Sequence, residues 1–216
     1  DGIPDVFVNT SHPSFHTVVL KLDAMSGKEQ QCYVHIGGTD GMEAIDLNDD
    51  GMSEIVLAGV NNAFESACLV VLDPRNINGH SPLTAEYQPS DVKRAEEIAY
   101  ILIPRTGVGE LGIPRYRWTM AHDIQASLVD RTIRVFVADE SSITRSHGIY
   151  ISFDFNLRPI RVGTDEDFDM LVKELMQRGL LKSKPDTRYW EEYMKQIKYW
   201  DGEKWQTTPT VNKRWL

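Results

Sequence analysis

Apolar positions along this chain fall mostly into short runs of β-branched and aromatic residues, closed off by clusters of Gly, Pro, Asn and Asp. These runs predict strands over residues 5–10, 15–23 and 29–36, separated by turns at Ser11-His12-Pro13-Ser14 and Met25-Ser26-Gly27-Lys28 and stopped by Gly37-Gly38. The pattern resumes after residue 53. Residues 54–59 and 67–73 read as strands, the second ended by Pro74-Arg75-Asn76-Ile77-Asn78-Gly79. A strand over 98–103 stands within an irregular insertion at about 80–115, which closes in a loop holding Pro104, Gly107, Gly109, Gly112 and Pro114. Two more strands are predicted around 134–138 and 149–154. The strand pairs keep their spacing: Asp5 to Asp23, Glu54 to Asp73 and Arg134 to Asp154 lie 18, 19 and 20 residues apart. Short strands recurring at a period of about 50 residues predict propeller-type blades or a related array.

After residue 163 the period changes. Phe168, Leu171, Val172, Leu175 and Met176 recur at helical spacing behind a capping box at Thr164-Asp165-Glu166-Asp167, and Gly179 suits the C-terminal stop. A second helix is expected after Pro185-Asp186, with Trp190, Tyr193, Met194 and Ile197 on one face. Asp201-Gly202, between Tyr199-Trp200 and Lys204-Trp205, signals a hairpin. The expected fold is mostly β: a partial β-propeller-like array of about three blades over residues 1–163, with a small α-helical and hairpin C-terminal cap over 164–216 packed on it. The aromatic residues of the tail, Trp215 included, serve either as core beneath that cap or as a sugar-stacking or protein-docking surface.

The chemistry is densest at Asp46-Leu47-Asn48-Asp49-Asp50-Gly51-Met52-Ser53-Glu54, which runs straight into an apolar strand. Asp46, Asn48 and Asp50 alternate, so their side chains can converge on one point, and Gly51 permits the backbone reversal. The Met52 carbonyl and the Glu54 carboxylate complete an all-oxygen set suited to Ca2+. The opening matches an EF-hand loop, but position twelve is Leu57 rather than a bidentate Glu, and a strand follows instead of a helix. A solvated Asp/Asn turn is the plainer alternative. Asp1-Gly2-Ile3-Pro4-Asp5 lines up with Asp50-Gly51-Met52-Ser53-Glu54, so the chain is expected to be part of a longer protein, cut within a second copy of the loop.

On Asp46, Asn48, Asp50, Gly51 and Glu54, followed by Ile55-Val56, and on the partial copy Asp1, Gly2 and Asp5, the chain resembles the FG-GAP/VCBS repeat family of integrin α-subunits and bacterial surface proteins. The resemblance covers residues 1–80 well and 116–162 loosely. It implies propeller blades, Ca2+ between strands of one blade, and a place outside the cytoplasm: periplasmic, cell-surface or secreted. The family more often carries Asp where this chain has Glu54.

Composition narrows the partners. A net charge of −9 and a pI near 5.1 disfavour nucleic acid, which demands a basic face, and anionic membrane surfaces. No run approaches the roughly 18 apolar residues of a membrane span. Cys32 and Cys68 fall in different strands and are either a disulfide or two buried thiols. No catalytic set stands out. His12 and His16 have a zinc-like spacing broken by Pro13, and His122-Asp123 suggests a base with its orienting acid. Ser141, Ser142 and His147 lack the G-x-S-x-G elbow of a strained nucleophile. The expected function is therefore a non-enzymatic, calcium-stabilised extracytoplasmic binding or scaffold domain for a protein or carbohydrate ligand, with an exposed patch within residues 104–118. The alternatives are an enzyme acting on polysaccharide or phosphate ester, using His122, Asp123, Arg115 and Arg117, or a sensor ectodomain.

Overall fold

The computed structural model describes residues 4–10, 16–84, 92–108, 118–140 and 147–211. Asp1, Gly2, His12, Arg115, Arg117, Ser141, Ser142 and Trp215 lie outside them. The described chain is mostly β, as the apolar pattern predicts. The first sheet, in the order β1-β2-β3-β7, joins β1 (Val6–Thr10), β2 (Thr17–Leu22), β3 (Glu29–His35) and the short β7 (Gly79–His80). The middle sheet, ordered β14-β13-β8-β6-β5-β4, contains β4 (Thr39–Ile45), β5 (Glu54–Asn61), β6 (Ser66–Leu72), β8 (Ala99–Ile103), β13 (Lys198–Trp200) and β14 (Trp205–Gln206). The third is an antiparallel meander of β9 (Trp118–Ser127), β10 (Thr132–Glu140), β11 (Gly148–Asp154) and β12 (Pro159–Thr164). None of the three closes on itself.

The middle sheet is covered on both faces. Successive strand residues point to opposite sides, and here both sides are apolar. Val56, Ala58, Leu69, Val71, Ala99 and Ile101 pack toward the third sheet and the helices, against Ile124, Ile133, Val135 and Ile151. Ile55, Leu57, Cys68, Val70, Tyr100 and Leu102 pack the other way, against Val19 and Tyr33 of the first sheet. This two-sided burial explains why β5 and β6 read as unbroken apolar runs, the signature of strands covered on both faces. Each buried Leu, Ile or Val contributes about 1.5–3 kcal/mol.

The chain passes from the first sheet to the middle one through Gly37-Gly38. Gly38 O accepts from Val60 N at 2.9 Å, and a Cβ on Gly59 would stand 2.1 Å from Gly38 O. That close backbone approach is what the glycines permit.

The three equally spaced strand pairs form antiparallel hairpins in three different sheets. Val6 pairs with Leu22 and Ile55 with Leu72, but the third pair is shifted two residues from the sequence alignment. Ile133 pairs with Phe153, so Thr132, not Arg134, takes the place of Glu54. β4, β9 and β12, which read weakly in sequence because Asp, Gly, Glu and Arg interrupt them, flank these hairpins.

Helices α1 (Glu166–Gln177) and α2 (Thr187–Met194) close one side of the larger core with Phe168, Leu171, Val172, Leu175, Trp190 and Tyr193. The N-cap of α1 is Asp165, which accepts from Phe168 N at 2.6 Å, while Thr164 is still paired in β12. Met176 is exposed, unlike the other apolar residues of its helix pattern. Gly179, at φ +71, follows α1, where Leu180 N bonds back to Leu175 O. Ile197 reaches the core from beyond the end of α2. No helix of the described residues is long and apolar enough to cross a membrane.

A buried polar node ties the first two sheets together. His35 Nδ1 lies 3.3 Å from Gly37 O, which fixes the proton on Nδ1 and leaves Nε2 to accept from Tyr100 OH at 2.7 Å. Asn61 Nδ2 donates to the same hydroxyl at 2.8 Å. Cys68, a free and buried thiol pushed up to about 12 by burial, sits 3.4 Å from Nε2. Cys32 is also free. Burial lowers His35 from 6.5 to about 4. The unfolded chain therefore takes up a proton below pH 6.5 that the folded chain refuses. Stability is complete above that pH and declines by roughly 3 kcal/mol as pH falls toward 4. Urea titrations across that window should show the decline, and His35→Gln should flatten it relative to the native chain. An equal slope in the two proteins would mean that His35 is not the titrating group.

Candidate functional site

The acidic loop connects β4 to β5, and its oxygens turn onto its own backbone. Asp46 Oδ1 and Asn48 Oδ1 both accept from Asp50 N, at 3.2 and 3.0 Å, while Asp46 Oδ2 accepts from Gly51 N at 2.8 Å. Asp50 Oδ1 accepts from Met52 N at 2.9 Å, and Asn48 Nδ2 lies 3.3 Å from Asp50 Oδ2. Asp46 and Asn48 thus meet around the Asp50 amide, with the Asp50 carboxylate beside Asn48. Asp49 takes φ +63 and Gly51 φ +85, the left-handed conformations that let the loop wrap.

Glu54 stands apart from this group. Its side chain is buried, and Oε2 accepts from Leu47 N at 2.8 Å, across the mouth of the hairpin where Ile45 pairs with Glu54. Two arginines border the loop. Arg131, in the β9–β10 turn, reaches both Asp49 oxygens at 3.0 and 2.9 Å, and Arg75 lies 3.9 Å from Asp50 while bonded to Asp73 at 2.8 Å.

Asp46, Asn48 and Asp50 fit an oxygen-ligated cation in type and convergence, because each oxygen keeps a second lone pair after accepting one amide. Glu54 serves the hairpin. Among the described residues, no three His, Cys, Asp or Glu side chains gather closely enough to hold a metal ion. Asp5, in the position matching Glu54, pairs with Lys21 at 2.9 Å.

The His122-Asp123 pair is not a unit. They sit at a β-bulge of β9, between Ala121 and Ile124, with His122 buried and Asp123 exposed. His122 Nδ1 instead meets Asp40 Oδ2 at 2.8 Å, and Asp123 accepts from Gln125 at 3.0 Å. His147 meets the Asp167 carbonyl at 2.9 Å, at the start of α1.

A second site is invisible in sequence. Where the segment before β8 faces the end of β13 and its turn, a cleft of about 680 Å³ opens between Arg94, Glu97 and Tyr100 on one wall and Trp200, Asp201 and Glu203 on the other. Glu97 lies at its base, with a side chain 3% exposed. It accepts from Tyr33 OH at 2.9 Å and Arg94 Nη1 at 2.7 Å. Burial raises its pKa against the opposing pull of Arg94. Arg94 Nη1 also reaches His80 O and Ala95 O, at 2.8 and 2.7 Å. The guanidinium lies 5.8 Å from the Trp200 ring centre. Its other edge, Nε and Nη2, is buried with no acceptor, and so is Trp200 Nε1.

Asp201 accepts from Glu203 N, Lys204 N and Gln206 Nε2, at 2.9, 2.8 and 2.7 Å, and these donors hold it down at about 2. The hairpin signal of Asp201-Gly202 therefore becomes a four-residue turn. Trp205 packs behind Trp200, Phe64 and Tyr100, at 5.0, 5.1 and 6.1 Å between ring centres.

Searches of protein families, of curated proteins and of solved structures find no match for this chain.

The two roles within the acidic loop separate by mutation. Glu54→Ala should cost about 2 kcal/mol, because it leaves the Leu47 amide without its charged acceptor. Asp49→Asn, which keeps a side chain suited to φ +63 and loses only an exposed ion pair, should stay within about 0.5 kcal/mol. Urea midpoints at fixed m-value report both, and equal costs would contradict this division.

Proposed function

We propose that this chain is a non-enzymatic binding domain working outside the cytoplasm, its sheets arranged as blades of the FG-GAP/VCBS kind and its β4–β5 loop stabilised by Ca2+. The observation that carries the binding reading is the cleft. It is lined by charged and aromatic residues together, among them Arg94, Trp200, Asp201 and Glu203. A protein or carbohydrate ligand would meet the exposed carboxylates of Asp201 and Glu203 beside Trp200. Blade-type architecture is supported by three separate antiparallel meanders, each containing one of the evenly spaced hairpins. The Ca2+ reading is supported by Asp46 and Asn48 sharing the Asp50 amide and by the Asn48–Asp50 side-chain contact. Weak calcium sites fill outside the cytosol, which is why the metal and the location go together.

The His122–Asp40 contact is what favours an enzyme instead, since it resembles a base held by a carboxylate. Hydrolysis of aryl glycosides or aryl phosphates, abolished in His122→Ala, would establish that alternative.

Two experiments test the proposal. The immobilised full chain, probed with arrayed peptides and glycans, should retain a ligand that Trp200→Ala releases. No ligand, or one indifferent to that substitution, would overturn the binding role of the cleft. A thermal melt in calcium at about a hundred times its dissociation constant, against excess chelator, should show roughly 2.7 kcal/mol of stabilisation, a rise of about 5–10 °C. Asp46→Ala with Asp50→Ala should abolish that rise. No rise in the native chain would reduce the loop to a polar turn.

A further inference from the structure

The registers of the three hairpins put their residues in correspondence. Val6 faces Leu22, Ile55 faces Leu72 and Ile133 faces Phe153. Val6, Ile55 and Ile133 therefore hold one position, and Val8, Leu57 and Val135 the next position on the same face. In two of the three hairpins the first strand carries a further antiparallel strand on its other edge: β4 on β5, and β9 on β10. In the first sheet β1 ends the order, and among the described residues no strand lies on its outer edge. Val6 and Val8 are 42% and 36% exposed, whereas Ile55 and Leu57 are 2% and 0% exposed.

β4 and β9 are alike in what they present. Ala44 faces Ile55 and Ala126 faces Ile133, while Met42 faces Leu57 and Ile124 faces Val135. Both strands bulge at the same place, at Asp40 and at His122-Asp123, where His122 Nδ1 meets Asp40 Oδ2 at 2.8 Å. Residues 39–45 and 121–127 thus align without a gap. Each has its bulge, then a large apolar residue, then Glu or Gln, then Ala.

An open sheet edge is a template for another strand, so proteins blunt it with charge, proline, bulges or short length. The other edges of these sheets follow that rule. β7 and β14 have two residues each, β12 starts at Pro159 and carries Arg161, and β4 and β9 carry Asp40, Glu43 and Asp123 beside their bulges. β1, Val6-Phe7-Val8-Asn9-Thr10, has no charge, no proline and no bulge. We infer that the outer edge of β1 is a docking site for an extended segment of another polypeptide, added to the first sheet as an antiparallel strand that reads large apolar, Glu or Gln, Ala. The apolar residue stands opposite Val8 and the Ala opposite Val6, as on β5 and β10. Backbone pairing supplies affinity in this mode of recognition, and the side-chain positions supply selectivity. A second copy of the chain fits less well, because β1 reads Val-Phe-Val and has no small residue to set opposite Val6. The inference goes beyond the cleft and the Ca2+ loop and depends on neither.

The test titrates the full chain into fluorescently labelled peptides that copy residues 39–45 and 121–127, read by polarisation. At least one should bind with a dissociation constant of about 100 μM or tighter. Hydrogen exchange of the Val6–Thr10 amides should slow in its presence. The same peptide with Lys in place of its apolar residue, Met42→Lys or Ile124→Lys, should bind about tenfold more weakly or worse. Val8→Lys in the chain, which charges an exposed position of the edge, should cause a similar loss. Val8→Thr, which keeps the β-branched shape, should weaken binding by only about threefold. Unchanged thermal melts show that both variants fold. No binding at about 1 mM peptide, binding without protection of β1, or equal affinity in Val8→Lys would overturn the inference. So would a chain that sediments as a dimer and becomes monomeric in Val8→Lys, because a second copy would then hold the edge. Such a failure leaves the cleft and Ca2+ readings standing, since their own experiments do not involve β1.

Discussion

The middle sheet has to be apolar on both faces, and most other features of the molecule follow from meeting that requirement. A strand covered on one side can place polar groups on the other. β5, with every residue from Glu54 to Asn61 buried, cannot. Its polar members must therefore find partners inside the protein, since an unpaired buried polar group costs about 1–3 kcal/mol. Glu54 takes the Leu47 amide at one end of the strand, and at the other Asn61 takes Tyr100 OH, Pro82 O and Ala63 N. The same logic places Asp139 of β10 between the hydroxyls of Thr106 and Thr119, and Glu97 between Tyr33 and Arg94.

That constraint also decides what can be read from sequence. Residues 54–59, 67–73 and 98–103 were legible because two-sided burial leaves uninterrupted apolar runs. The hairpin pairs at 5–23 and 54–73 were legible because clusters with Asp and Gly, Asp23–Lys28 and Asp73–Gly79, close the far ends of their second strands. β4 was hidden: Asp40, Glu43 and Gly41 interrupt it, and as an edge strand of its sheet it tolerates exposed acids. The two-residue shift in the third hairpin was hidden as well. Arg134-Val135-Phe136 imitates Glu54-Ile55-Val56 in composition, and a shift of two residues leaves the same side chains facing the core, so the apolar pattern cannot tell the two registers apart. Asp165 displaced Thr164 as the N-cap of α1 because Thr164 is still held in β12 opposite Ile149. A capping-box pattern cannot reveal such competition.

The two sites differ in legibility for a related reason. Asp46, Asn48 and Asp50 are neighbours in sequence, and local geometry alone brings them together. What sequence could not give was the allegiance of Glu54, which depends on hairpin closure and on burial beneath the other sheets. It could not show Arg131 either, brought by the third sheet to the same loop. Arg94 and Trp200 are far apart along the chain. They meet only because β13 crosses back to pair with β8, setting Tyr199 opposite Ile101. Neither residue type at those positions signals a site, and the tail aromatics divide accordingly. Trp190, Tyr193 and Tyr199 sink into the larger core, while Trp200 and Trp205 stay at its margin, against the smaller one.

Tyr100 links the architecture to the cleft. Its hydroxyl belongs to the node that joins His35 and Asn61, its ring packs against Trp205, and it lines the cleft wall. A residue fixed by two hydrogen bonds in the interior cannot yield to a ligand, so the cleft keeps its shape from the same contacts that hold the first two sheets together. Nearly every polar group around it is already matched: Glu97, the Nη1 of Arg94, the Asp201 carboxylate. Arg94 Nε and Nη2 and Trp200 Nε1, the donors left over, are enclosed beneath that frame rather than open to the cleft.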